Sequence, residues 1–168
     1  MFKKLIILFF AIMPLALVAQ ETKIAFVNSQ EIFGMMPELG AIETQLNTKQ
    51  EQVKKNAAAL ENEYNLKMEE FKKSDDEVTE ALLLDRQKQI QQIEERYQAF
   101  IQNSQKEVQD LQQKLLAPVQ EKMQKAIQAV GEEKGYTYIL DLSSGSVAYH
   151  STTAIDANPL VKAKLGIN

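Results

Sequence analysis

Between residues 39 and 130, apolar side chains recur at steps of three, four and seven with charged and amide residues filling the intervals, and this narrow stripe constrains the fold more than any other feature. Its first half, "ELGAIETQLNTKQEQVKKNAAALENEYNLKMEEFKK", puts Leu39, Ile42, Leu46, Val53, Leu60, Tyr64, Met68 and Phe71 on one helical face. Such a stripe is too thin for a globular core helix and suits a coiled-coil seam. After "SDDEV", where Ser74 or Asp75 is placed to cap a new helix, a second stripe follows: Leu83, Ile90, Ile93, Tyr97, Phe100, Val108, Leu111, Leu115, Val119, Met123, Ile127 and Val130. So short a link forces the two helices to run antiparallel. The eleven-residue intervals from Tyr97 to Val108 and from Val108 to Val119 relax the left-handed supercoil of that pair.

One residue breaks the pattern. Pro118 sits inside "KLLAPVQEKMQKAIQAV", where a missing N–H and a ring clash cost about 3 kcal/mol in a helix interior. Counting outward from a turn centred near Asp75 sets Leu39 opposite Leu111, so Pro118 falls past the paired length. It is the expected arm hinge, with a bend over 115–119 and the segment 119–130 packed on strands.

The flanks read as β structure. "KIAFV" is apolar on both faces and β-branched or aromatic, a buried strand that Asn28 and Ser29 end, with Gly34 and Pro37 marking a loop. "YTYILDL" and "VAYH" flank "SSGS", which predicts a β-hairpin, after a helix stopped by Gly135. In the tail, Asn158 is the expected N-cap, Pro159 the first helical residue and Gly166 the stop. One strand near the start and two near the end must share a sheet across the whole helical hairpin. The expected fold is therefore α+β: a small, antiparallel-type β body of one N-terminal strand plus a C-terminal hairpin (20–38 and 112–168), carrying a long antiparallel coiled-coil arm (39–111). Each arm helix spans roughly 50 Å at about 1.5 Å per residue. Three strands with a few helical pieces make a marginal core, so the body is expected to oligomerise.

Residues 1–19 read as a cleaved secretory leader: Lys3 and Lys4, an apolar run broken by Pro14, and an exit at Ala19. The apolar run is shorter than the ~20 residues a membrane span requires. The chain has no cysteine, so neither disulfides nor a lipid-modified cysteine enters the account. Its net charge of −4 becomes more negative once Lys3 and Lys4 leave with the leader, and the bases are spread singly among acids, which argues against nucleic acid as a partner.

Signals for catalysis are poor. A single histidine, His150, and no cysteine leave no transition-metal ligand set, so no metal or cofactor is expected. Glu69/Glu70, Asp75/Asp76, Glu94/Glu95 and Glu132/Glu133 are adjacent pairs that diverge by about 100° on a helix and read as solvated faces. Ser144 and His150 lack a nucleophile-elbow context and read as turn residues. What remains is the arm surface. Thirteen glutamines lie between Asp85 and Gln128, and Leu66, Leu82, Leu84, Ala99, Ile101 and Leu116 are apolar residues left over once the seam is filled. Amide-rich, weakly apolar walls of this kind can hold a guest without fixing its sequence. The competing readings are a structural adaptor whose arm zips with a partner coiled coil and, behind it, an enzyme using Ser144 and His150.

The order of leader, strand, helical hairpin, proline-marked helix, Gly-Tyr strand region and capped tail helix resembles the Skp/OmpH family of periplasmic chaperones. The resemblance spans 23–168 and rests on "KIAFVNSQEIF", "LLAPVQEKMQKAIQAVGEEKGYTYILDLSSGSVAYH" and "IDANPLVKAKL". It implies a periplasmic homotrimer, without ATP or cofactor, whose arms enclose a cavity for unfolded outer-membrane β-barrel proteins. By position, Ile24, Phe26, Val27, Ile139, Leu140, Val147 and Tyr149 match the family's body strands and would carry assembly. One departure matters. Well-known members are basic, whereas the local cluster Lys72, Lys73, Arg86 and Lys88 is offset here by Asp75, Asp76 and Glu77, so lipopolysaccharide or membrane contact is not carried over.

Overall fold

The computed structural model describes residues 22–73 and 78–167. The leader and the Ser74 and Asp75 caps expected from the sequence lie outside the described residues. Along the chain run β1 (Ile24–Val27), α1 (Ser29–Gly34), α2 (Glu38–Lys72), α3 (Glu80–Lys134), β2 (Tyr138–Asp141), a 3-10 turn (Leu142–Ser144), β3 (Ile155–Asp156) and α4 (Asn158–Leu165).

The sheet has order β2-β1-β3 and both of its pairings are parallel, which corrects the antiparallel expectation. The physical reason is connectivity. β1 reaches β2 only through the whole helical hairpin, and a connection of that length permits the parallel pairing that a tight turn cannot make. The expected hairpin after β2 does not form either. Asp141 accepts from Ser143 N at 3.0 Å, tightening residues 142–144 into a 3-10 turn that closes at Gly145 in the left-handed region (φ 67°). "VAYH" therefore leaves the turn without a strand partner among the described residues, and Ile155–Asp156 takes the free edge of β1 instead.

Beyond β1 the chain turns into a helix rather than a loop, because the Asn28 side chain accepts from Glu31 N and caps α1. Asn158 does not act as the cap of α4. It lies inside the helix, preceded by Ala157, and its Oδ1 accepts from Asn28 N at 2.8 Å while its Nδ2 donates to Asp156. The two asparagines thus tie the end of β1 to the start of α4. Thr79 caps α3 through its side chain, and Gly135 ends it at φ 63°. Glycine is required there because a Cβ in the left-handed region meets the carbonyl.

Period-two alternation in β1 sends Ala25 and Val27 inward and Ile24 and Phe26 outward. Inside, Ala25 and Val27 join Ile32 and Met36, Ile42 from the root of α2, Val119, Ala126 and Val130 from α3, and Val161 and Leu165 from α4 in one cluster. The segment 119–130 does contribute to the core with the sheet. α3 nevertheless runs through Pro118 as one helix from Glu80 to Lys134.

Candidate functional site

Two surfaces carry the features singled out above: the flanks of the arm and the outer face of the sheet. The arm's register is fixed by contacts between α2 and α3: Lys49 Nζ to Glu107 at 2.6 Å, Arg96 to Glu63 at 3.1 Å, Arg86 donating to the Glu70 carbonyl at 3.0 Å, and Glu38 paired with Lys122. A hydrogen bond between Tyr64 and the Glu94 carboxylate adds a further rung and raises the Tyr64 pKa, since loss of the phenol proton would break the bond and set two negative charges together. These rungs centre the hairpin later than Asp75, near the cap at Thr79. The count that set Leu39 opposite Leu111 is therefore wrong by nearly three turns: α2 begins opposite Lys122, and Pro118 lies inside the paired length.

The off-seam apolar residues divide into three groups. Leu66 and Leu84 are each 55% exposed and Leu82 is exposed beside them in sequence, all in the last turns of α2 or the first turns of α3. Ala99 is exposed further along. Ile101 lines an open groove of about 440 Å³ on the arm's flank with Val53, Val108, Gln105 and Gln109. Leu116 packs against the body core and is not a wall residue. The groove also contains Ser104, which is buried in the seam, a position that apolar counting missed. The signal was present in the spacing: between Phe100 and Val108 the seam skips one turn, and Ser104, four residues from each, fills it.

The sheet's outer face is apolar. Tyr138 stands beside Ile24 and Leu140 beside Phe26, in parallel register, with Ile24, Tyr138 and Leu140 exposed. Tyr149 is 82% exposed on the unpaired "VAYH" stretch, and the His150 ring lies against Phe26 with centroids 4.7 Å apart. Two residues expected on this face turn away from it. Val27 is 1% exposed in the chain's own core, and Ile139, half-buried, points at Gly131, where its Cδ1 would sit 3.5 Å from an added Cβ. Strand alternation is the cause in both cases, and the same alternation marks Tyr138 as the face residue that sequence reading passed over. Val147 is half-buried.

Polar anchors hold this body together. The Asp141 carboxylate accepts from Ser29 N at 3.1 Å, Ser29 Oγ at 2.5 Å, Ser143 N and Ser143 Oγ, joining α1 to the end of β2. Burial pushes its pKa up, but the hydrogen bonds from Ser29 and Ser143 together outweigh burial and hold the pKa below the ordinary carboxylate value. Lys162 pairs with Glu31 at 2.6 Å and Lys164 with Glu133, pinning α4 to α1 and α3. Ser144 and His150 are occupied locally, Ser144 Oγ donating to the Asp141 carbonyl and His150 Nδ1 lying 3.3 Å from Ser151 O. Among the described residues no three His, Cys, Asp or Glu side chains gather as ion ligands, and no helix is long and apolar enough to cross a membrane.

Residues 23–165 match the family model for outer membrane protein, OmpH-like. Among solved structures, the crystal structure of a candidate outer membrane chaperone (OmpH-like) from Caulobacter crescentus CB15 superposes with a TM-score of 0.72 at 21% identity, covering 84% of this chain and 82% of that one. At that identity the likeness speaks to the fold. No curated protein matches.

Proposed function

The chain belongs to the OmpH-like outer membrane protein family, and from that premise we propose that it is an ATP-independent holdase that keeps unfolded outer-membrane β-barrel proteins soluble in the periplasm. The observation that carries this reading is the arm's surplus of exposed apolar side chains, Leu66, Leu82 and Leu84, beyond those its own seam uses. A hairpin needs none of them for its own pairing, and in water they are a liability unless a guest covers them. The groove at Ile101 and Ser104 adds a recess of apolar floor and amide rim. Amides offer hydrogen bonds to a backbone in any sequence, so the wall is selective for unfolded chain rather than for a motif.

The same reading makes the outer sheet face the assembly surface. Ile24, Phe26, Leu140, Tyr138 and Tyr149 form an apolar patch that a second and third copy would cover, giving a homotrimer whose arms surround a shared space. Residues 1–19 are then the leader that directs the chain to the periplasm, cut after Ala19. No enzymatic role or cofactor enters this account. Membrane contact is kept out of it because the chain is acidic, with a net charge of −4, and so offers no concentrated basic surface to anionic headgroups.

The test is dilution of a urea-unfolded β-barrel protein into buffer with the purified chain. Near-stoichiometric chaperone should suppress light scattering, and Leu82→Ser with Leu84→Ser should weaken suppression several-fold. Continued aggregation at threefold excess of the unaltered protein would sink the proposal. A structural adaptor would instead bring down one dominant folded partner.

A further inference from the structure

The hairpin's register gives Pro118 a neighbour that counting along the sequence does not. α2 starts at Glu38, and Glu38 pairs with Lys122, one helical turn past Pro118 on the stretch that leads to β2. α2 is unbroken from Glu38 to Lys72, so its first turns lie alongside the proline, with Leu39, Ile42 and Leu46 in the same cluster as Leu115, Leu116 and Val119. Only one of the two helices is weakened at this level. Pro118 supplies no N–H to the Lys114 carbonyl, which leaves α3 one hydrogen bond short where the arm meets the body.

A straight helix laid across a weak point is a splint. For α3 to bend at Pro118, the first turn of α2 must slide along it or lift away. Two things resist this: the apolar contacts of Leu39 and Ile42, and the Glu38–Lys122 pair, the ion pair between α2 and α3 that lies nearest the body. The pair is also incompletely satisfied, since Glu38 Oε2 is buried and has no hydrogen-bond partner among the described residues. Hydrogen bonds from Lys122 and from the backbone nevertheless outweigh burial and hold the Glu38 carboxyl below the ordinary carboxylate range, so the closed pair is favoured, but only modestly because both side chains are partly exposed.

We infer that Glu38 and Lys122 form a latch: while it is closed, α2 splints Pro118 and the arm keeps one angle to the body, and when it opens the arm pivots about Pro118. Both side chains are partly exposed, so the pair shifts the balance between the two arrangements by no more than about fivefold. A bias of that size is small enough for a guest pressing on the arm to overturn. The link to guest entry rests on the holdase reading, but the latch itself does not.

The chain lacks cysteine, so spin labels can be placed at Lys88→Cys on the arm and Ala163→Cys on α4, both exposed, in the purified full chain diluted with unlabelled copies. Pulsed dipolar spectroscopy should give one narrow distance distribution in the parent. Lys122→Gln should broaden it at least twofold, Lys122→Arg should leave it narrow because the ion pair survives, and Pro118→Ala added to Lys122→Gln should narrow it again by restoring the missing donor. Glu38→Gln provides a second opening of the latch should Lys122→Gln fail to fold, judged by helical circular dichroism. An unchanged width in both latch variants overturns the inference, and so does broadening that persists undiminished with Pro118→Ala. The aggregation assay on the same proteins keeps the two proposals apart. A parent that suppresses scattering while its distances ignore the latch variants overturns the latch alone, whereas a parent that fails to suppress scattering overturns the holdase reading and leaves the distances to decide the latch.

Discussion

The body and the arm draw on the same aliphatic residues and bury them to different depths. In the body, Ile32, Val27 and Val161 are essentially inaccessible, and helices approach the sheet from several directions. In the arm, Ile93 and Ser104 are the buried side chains over most of the length, while Val53, Leu60, Val108 and Leu111 remain partly open. A two-helix seam has solvent on both sides, so each residue removes only part of its surface from water. Stability is therefore concentrated at one end of the molecule and apolar surface is left available at the other.

The largest test of that contrast is a matched pair of truncations. Ile32→Ala should cost about 3 kcal/mol, since a fully buried side chain leaves both lost transfer energy and a cavity, whereas Leu60→Ala should cost about 1 kcal/mol because water can reach the site. Urea unfolding followed by circular dichroism measures both, and equal costs would break the comparison. Next in size is Asp141→Asn, which removes a charged acceptor from Ser29 and Ser143 and should cost about 1–2 kcal/mol. Its pH signature follows from a folded-state pKa held below the ordinary aspartate value by the Ser29 and Ser143 hydrogen bonds. The carboxylate's contribution is fully present above that unfolded-state value and is lost as pH falls through the lower folded one, so Asp141→Asn should flatten the acid limb of the stability curve measured below about pH 4.

Two glycines of one helix end sharpen the picture further. Gly135→Ala should destabilise by about 1 kcal/mol because φ is positive there, and Gly131→Ala should be neutral or stabilise by under about 1 kcal/mol, its Cβ meeting Ile139 at ordinary contact distance. Smallest of all, Arg96→Ala on the arm should change the unfolding free energy by less than about 1 kcal/mol, an effect that 0.5 M salt should erase, because both partners are exposed.

Much of this organisation was legible in the sequence, and what was not has identifiable causes. The seam positions, the Gly135 and Gly166 stops and the presence of a sheet closed across the hairpin all follow from periodicity and turn chemistry, which are local. The strand direction at β2 and β3 was missed because "SSGS" resembles a hairpin turn until the Asp141 side chain is seen capturing Ser29, a residue more than a hundred positions away. Asn158 was read as a cap because its partner, Asn28, is equally remote. The link "SDDEV" does fall between α2 and α3, but centring the pairing on Asp75 ignored the stagger of the two helices, whose contacts centre near Thr79, and that carried Pro118 out of the paired region. On the sheet, assigning Val27 and Ile139 to assembly together with Phe26 and Leu140 passed over the split between inward and outward residues that strand alternation makes. Remote side-chain capture and strand register are tertiary facts, and no window of sequence contains them.

The division of labour between arm and body can be read in one photocrosslinking experiment, with the reactive group placed either at Leu84 or at Tyr149 and an unfolded β-barrel protein supplied. The account predicts that Leu84 captures the unfolded protein and Tyr149 captures a second copy of the chain. Capture of the unfolded protein at Tyr149, with Leu84 giving only copies of the chain, would contradict it.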